Sequence, residues 1–265
     1  MTRRANRGSV APVPYRAVFF DAGNTLVRAH PSVGHIYART ARRHGVRVSV
    51  DVVDRRFKEA WKNRHGVVHL KTDQAEKEWW RKIVGQVMGA HFAGAKFHKY
   101  FEDLYGLFAH PKHWRLFDDA LPTLRALRGR GYRLGIVSNW DSRLVTLAER
   151  IGLNTEVEFL LVSAVEGLVK PDRRLFHRAL TRAAVDAHEA VHVGDSVHED
   201  YRGARRAGLA ALLLDRHHPG PPGVHTIQSL SEVLSFVDAA RPAGTFPQGK
   251  FGRDPRARIL RKKSP

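Results

Sequence analysis

The alternation of apolar and polar positions changes character twice along the chain. A short apolar run, Ala17 to Phe20, stops abruptly at Asp21. From residue 132 onward similar runs recur at Tyr132 to Ser138, Glu158 to Ser163, Ala190 to Val193 and Ala210 to Leu214, and each reads as a buried strand. Between them, Arg143 to Ile151, Arg173 to Ala184 and Glu199 to Ala207 carry apolar residues at helical spacing. Strands that alternate with helices predict an α/β fold with a parallel sheet, to which the first run also belongs. The segment from 30 to 115 differs: Ile36 to His44, Val52 to Arg64, Ala75 to Met88 and Lys96 to Phe108 read as four amphipathic helices, with no convincing strand. The pattern thus predicts a core at 16–29 and 116–240, interrupted by a helical insertion at 30–115. An insertion after the first strand sits over the sheet edge where ligands bind, so it is expected to act as a lid.

The 265 residues, 43% of them hydrophobic, suffice for a substantial core. The absence of cysteine excludes disulfides, thiolate metal sites and a cysteine nucleophile. No apolar stretch is long enough to span a bilayer and the N-terminus lacks the apolar core of a secretion signal, so the expectation is a cytoplasmic protein with no membrane partner. A net charge of +19 would ordinarily point to nucleic acid, but its distribution weakens that reading. Residues 1–16 contribute +4 and residues 241–265 contribute +7, leaving +8 for the rest of the chain. The segments 1–15 and 241–265 read as basic flexible tails, and a nucleic-acid partner is not expected. Oligomeric state leaves no mark in the sequence.

Polar residues of a particular kind stand where the strands end. Asp21 follows the first run, Ser138-Asn139 the second, then come Lys170-Pro171 and Gly194-Asp195-Ser196 with Asp200. Each signal is short and common by chance; their order along one parallel sheet is not. Together they resemble the haloacid dehalogenase-like hydrolase superfamily. His30-Pro31, Val33-Gly34, Tyr37-Ala38, His44-Gly45, Trp79-Trp80, the stretch Leu104-Tyr105 to His110-Pro111 with Trp114, and Gly131 to Leu144 are similar to one branch of it. That branch is named for haloacid dehalogenase-like hydrolase domain-containing protein 3, and the likeness spans about residues 15–215. The resemblance implies a Rossmann-like core, a four-helix cap and hydrolase activity.

The residue types fit such chemistry. Asp21, at a strand tip, can attack phosphorus and split one hard hydrolysis into two steps through an aspartyl-phosphate. Two carboxylates and a phosphate need a cation to converge, so Asp21, Asp195, Asp200 and the Gly23 carbonyl are candidate holders of Mg²⁺, with Asp200 also placed to hold Lys170 or a metal-bound water. Lys170 would neutralise the carboxylates and the moving phosphoryl group. Ser138, Asn139 and Thr25 are the phosphate-binding candidates, and the expected substrate is a small phosphorylated metabolite.

One position departs from the family pattern. Phosphatases of this superfamily have a second aspartate where this chain has Gly23, and that acid protonates the leaving oxygen and then activates water. The expected consequence is slow turnover. A catalytically silent phosphate-binding protein and a metal-independent haloacid dehalogenase are the competing readings. His198, His30 and His35 have suitable chemistry to replace the acid but read as surface or loop positions, while His192 reads as a core histidine. His65 and His69 lack a third ligand, Trp79 and Trp80 read as packing, and Asp141 as the cap of the following helix.

Overall fold

The computed structural model describes residues 15–64 and 72–240. The expected tails before residue 15 and after residue 240, and the His65–His69 pair, lie outside these residues.

The core is a six-stranded, all-parallel sheet with helices on both faces, an α/β Rossmann-like arrangement. The chain opens with β1 (Ala17–Phe20), whose four residues are fully buried, and leaves the core through β2 (Val27–Ala29). Four helices follow: α1 (Val33–Arg43), α2 (Val50–Lys62), α3 (Asp73–Met88) and α4 (Gly94–Phe108). The return runs through β3 (Trp114–Leu116) into α5 (Ala120–Gly129), β4 (Arg133–Ser138) and α6 (Arg143–Arg150). Next come β5 (Phe159–Val162), the single turn α7 (Ser163–Glu166), α8 (Arg173–Ala183) and β6 (Ala190–Gly194). The chain ends in α9 (Arg202–Arg206), β7 (Ala210–Leu214), β8 (Thr226–Ile227) and α10 (Glu232–Ala239).

The sheet order is β5-β4-β1-β6-β7-β8, so β1 is central and the strand order reverses on either side of it. One face buries Phe20, Leu124, Ile136 and Val193, and the other Phe19, Val137, Phe176 and Leu161. Gly135 in β4 has a packing reason: a Cβ there would stand 2.3 Å from the Phe159 ring on the neighbouring strand. The inserted helices carry a separate core that includes Ile36, Tyr37, Trp79, Val84, Tyr100 and Phe101. Thr72 caps α3, accepting from the Ala75 N–H at 3.1 Å, and Ser32 caps α1 in the same way through the His35 N–H.

Two expectations change. The segment 30–115 was expected to lack strands, yet Trp114–Leu116 pairs antiparallel with Val27–Ala29. Three residues are too few to show an alternating pattern; the pairing comes from closing the insertion's entry and exit into one stem. The helix expected at Glu199–Ala207 begins earlier, with a wide π-type turn over Val197–Tyr201, and continues regularly only from Arg202. There the Tyr201 N–H reaches back five residues to the Ser196 carbonyl. Wide turns of this kind concentrate at functional sites, and this one aims Asp200 at the core of the site.

Candidate active site

Asp21 directly follows β1, so the strand carries its carboxylate to the C-terminal edge of the sheet, between the ends of β4 and β6. This is the crevice at which open parallel sheets bind ligands. Ser138, the last residue of β4, donates its hydroxyl to Asp21 Oδ1 at 2.9 Å. Lys170 enters from the loop between α7 and α8 and uses all three of its N–H donors. They reach Asp21 Oδ1 at 2.7 Å, the Val137 carbonyl at 2.7 Å and Asp200 Oδ1 at 2.5 Å. Lys170 is 2% exposed, and a buried ammonium persists only when so fully paired. Burial alone would lower its pKa, but the carboxylates of Asp200 and Asp21 outweigh that and raise it.

Asp200 is held from three sides. Besides Lys170, its Oδ1 accepts from His192 Nε2 at 2.9 Å and its Oδ2 from the Ser196 N–H at 3.0 Å. Burial would raise its pKa, yet Lys170 and His192 keep it far below the ordinary carboxylate range. Gly194 makes the approach feasible, because a Cβ there would lie 2.2 Å from Asp200 Cγ. His192 is a core histidine as expected, fully buried, and burial lowers its pKa so that it is neutral; its Nδ1 has no partner.

Asp195 faces the cavity beside this cluster. Although its side chain is exposed to the cavity, the surrounding protein and the charges of Asp21 and Asp200 push its pKa up to about 8, against a hydrogen bond from Asn24. Asn24 occupies the left-handed region at φ +53°, one that asparagine tolerates better than most residues. Burial, with the Asp200 charge adding to it, likewise raises Asp21 in spite of Lys170. Three acids around one ammonium would carry an excess of negative charge once all are ionised, and hard oxygens of Asp21, Asp195 and Asp200 lie within 4.8 Å of one another. That donor set fits a divalent cation such as Mg²⁺. Both Asp200 oxygens already accept hydrogen bonds, so Asp21 and Asp195 are the better holders, with Asp200 supporting Lys170. The turn after Asp21 is closed by bonds to the Ala22 and Val27 carbonyls, none of which uses the Gly23 carbonyl.

Position 23 has a neighbour that the sequence did not single out. A Cβ on Gly23 would stand 3.3 Å from Cζ3 of Trp140 and 3.9 Å from Asp21 Oδ2. The Trp140 indole, itself packed on Trp114 at 4.9 Å between centroids, thus closes over the side of Asp21 where the family's second acid would project.

Two of the phosphate-binding candidates are placed differently from expectation. Thr25 is fully buried, its hydroxyl has no partner and it does not line the cavity; its carbonyl accepts from Arg216, which also grips Asp119 with two N–H groups. Thr25 therefore braces the loop behind Asp21. Asn139 lines the cavity, but its side chain clamps the peptide of Lys170, accepting from the N–H at 2.8 Å and donating to the carbonyl at 2.9 Å. Its remaining donor reaches Glu199 Oε2 at 3.0 Å. The other Glu199 oxygen pairs with Arg64, at the end of α2 in the insertion. Neither Glu199 nor Arg64 has a local sequence signal, because the contact joins residues 135 apart. Among the described residues His198 is the histidine that lines the cavity, whereas His30 and His35 are exposed and off its wall.

Asp141 was expected to cap α6, but the N-cap is Ser142 and Asp141 stands one residue earlier, tying that loop to the insertion. Its Oδ1 accepts from the Arg143 N–H at 3.0 Å, Oδ2 takes Arg143 Nη2 at 2.7 Å, and the Trp80 indole N–H donates to Oδ2 at 2.6 Å. Trp80 is thus a junction between insertion and core as well as packing. Glu76, also on α3, adds a second tie by accepting from the Ser142 N–H at 3.0 Å. Asp141→Asn should lower stability by about 1–3 kcal/mol, because it weakens charge-assisted bonds to a mostly buried guanidinium; urea denaturation would measure it, and an unchanged midpoint would contradict this role.

The inserted helices and the sheet edge enclose a cavity of about 940 Å³, with Asp21, Ser138 and Asp195 on its floor. Its walls mix aromatic side chains, including Phe57, Trp61, Trp80 and Tyr105, with basic ones such as Arg28, Lys58 and Arg143, and the size suits a small molecule. No described helix is long and apolar enough to cross a membrane.

Comparison with known proteins agrees with this geometry. Residues 15–208 match the family model described as haloacid dehalogenase-like hydrolase. The bovine haloacid dehalogenase-like hydrolase domain-containing protein 3 is 35% identical over 240 residues, covering 84% of this chain and 94% of the relative. A glyceraldehyde 3-phosphate phosphatase of Methanopyrus kandleri is 27% identical over 225 residues, covering 76% of this chain and 84% of its own length. Among solved structures, the magnesium-bound HAD-hydrolase YfnB of Bacillus subtilis superposes with a TM-score of 0.68 at 17% identity, covering 85% of this chain and all of that one, which speaks for the fold alone. With its carboxylates gathered at the rim of a parallel sheet and a family match across most of its length, the chain belongs to the haloacid dehalogenase-like hydrolases.

Proposed function

We propose that the protein is a Mg²⁺-dependent phosphatase of small phosphorylated molecules, working through an aspartyl-phosphate on Asp21 and slowed by the glycine at position 23. The observation that carries this reading is the engagement of one Asp21 oxygen by Ser138 and Lys170 together, at the floor of the cavity and beside Asp195. Both contacts are made by Oδ1, which leaves Oδ2, 3.9 Å from where a Gly23 Cβ would stand, outside them. In this reading Oδ2 forms the bond to phosphorus, Lys170 offsets charge on the carboxylates and the phosphoryl group, and the Ser138 hydroxyl turns to a phosphate oxygen once substrate is present. A divalent ion held by Asp21 and Asp195 would supply charge neutralisation of the attacking carboxylate and the phosphate. The excess of acids over ammonium favours this reading over the metal-independent dehalogenase, which would need no such cluster.

A screen of phosphorylated metabolites with Mg²⁺, repeated with a chelator, tests the proposal. Chloride release from 2-haloacids in the absence of Mg²⁺ would overturn it in favour of the dehalogenase. The glycine has its own test. Restoring the acid with Gly23→Asp supplies assistance of a kind worth about 10²- to 10⁴-fold in general. Trp140 must give way by a few tenths of an ångström, so the gain for alkyl phosphates should fall at the low end, about 10²-fold, and exceed the gain for aryl phosphates about tenfold. Equal effects on kcat/KM for the two classes would count against the account of position 23.

A further inference from the structure

The surroundings of position 23 and the walls of the cavity point in one direction. No side-chain acid projects from residue 23 beside Asp21, and the Trp140 indole lies against that position. Farther out, Trp61 of α2 and Trp80 of α3 stack with centroids 5.8 Å apart and planes 20° from parallel, and both line the cavity. Tyr105 and Trp114 add further aromatic surface to it. Holding phosphate or a cation requires none of these rings. The Arg64 guanidinium lies over Trp61 at 4.0 Å and that of Arg143 over Tyr105 at 3.8 Å, so what these rings offer a planar aromatic partner is the surface they leave on the cavity wall.

From these two observations we infer that the substrate is an aryl phosphate, a monoester whose bridging oxygen is bonded directly to an aromatic ring. The inference rests on the phosphatase reading given above. An Asp21 oxygen bonds to phosphorus while the bond from phosphorus to the aryl oxygen breaks, its electron pair leaving on that oxygen. A phenol has a pKa of about 10, against about 16 for a water-like hydroxyl, so the phenolate departs without a proton donor and is protonated afterwards by solvent. Water then attacks the aspartyl-phosphate at phosphorus, the electron pair of the bond to Asp21 returns to the carboxylate, and the proton from water passes to a phosphate oxygen. Aryl phosphate and water give phenol and inorganic phosphate, with no further reactant. A nucleoside monophosphate would also offer a ring to the tryptophans, but its leaving oxygen is alkyl and would need the missing acid.

The test uses the full chain with Mg²⁺ and compares kcat/KM for phenyl phosphate, cyclohexyl phosphate and adenosine 5′-monophosphate. In parallel, inhibition of phenyl phosphate turnover by benzylphosphonate and by cyclohexylmethylphosphonate separates ring recognition from leaving-group chemistry, since neither has a cleavable ester. Phenyl phosphate should exceed the other two substrates by about 10²-fold or more. Benzylphosphonate should bind about threefold to tenfold more tightly than its saturated counterpart, a preference that Trp61→Leu should erase. Turnover of cyclohexyl phosphate or the nucleotide within tenfold of phenyl phosphate would overturn the aryl assignment and leave the phosphatase reading intact. Equal inhibition by the two phosphonates would overturn it as well. If none of the three esters is hydrolysed, the aryl assignment fails, and the metabolite screen described above decides separately whether the phosphatase reading stands.

Discussion

Asp21→Asn should abolish Mg²⁺-dependent hydrolysis, with kcat falling on the order of 10⁴- to 10⁶-fold, the range seen when a covalent nucleophile is removed. The amide keeps the shape of the carboxylate and its oxygen can still accept from Ser138 and Lys170, so the fold should survive. On the proposed mechanism, what disappears is the atom that would bond to phosphorus and one of the two best-placed cation holders. Mass spectrometry of acid-quenched reactions should find a phosphoryl increment on the Asp21 peptide of the parent protein and none on the variant. Undiminished turnover in the variant would place the reaction elsewhere.

Lys170→Met should cost about 3–5 kcal/mol of stability, because it leaves two buried carboxylates facing each other without their shared cation. Asp200 is depressed in the folded protein, so its contribution is present above its unfolded pKa near 4 and lost as pH falls through the lower folded value. Lys170 is raised, so its contribution is complete below its unfolded pKa near 10 and is lost only as pH climbs past the higher folded value. In the variant Asp200 is no longer depressed and can take up a proton, which relieves the penalty at low pH. Urea denaturation should therefore give a larger deficit at pH 8 than at pH 5, and a deficit that ignored pH would argue against the ion-pair account.

Much of the fold was legible because it rests on local pattern. The strands at Ala17–Phe20, Arg133–Ser138, Phe159–Val162, Ala190–Gly194 and Ala210–Leu214 are fully or largely buried, and such strands print themselves as apolar runs. The four helices of the insertion follow from amphipathic spacing in the same way. The two-residue strand Thr226–Ile227 and the stem β2–β3 have too few residues for any period. Within the site, Asp21, Ser138 and Asp195 were readable at strand ends, Lys170 and Asp200 from the family resemblance of the loops that carry them, and the structure brings the five together. The roles that were not readable depend on distant partners: Asn139 reaching the Lys170 peptide, Trp140 covering position 23, Trp80 meeting Asp141. Trp140 had a usable signal, since it directly follows Ser138-Asn139, and a bulky residue there must lie beside the loop that carries Asp21.

The chain of contacts from Arg64 through Glu199 and Asn139 to the backbone of Lys170 has a mechanical meaning. The inserted helices are anchored to the very peptide that presents the ammonium, so a displacement of α2 is transmitted to it rather than absorbed by solvent. Withdrawing Arg64 would strand Glu199, a half-buried acid whose pKa burial already raises, with Asn139 as its remaining side-chain donor. The inserted helices and Lys170 therefore stand or shift as one unit, and a loosened insertion would leave the lysine less well aimed at Asp21.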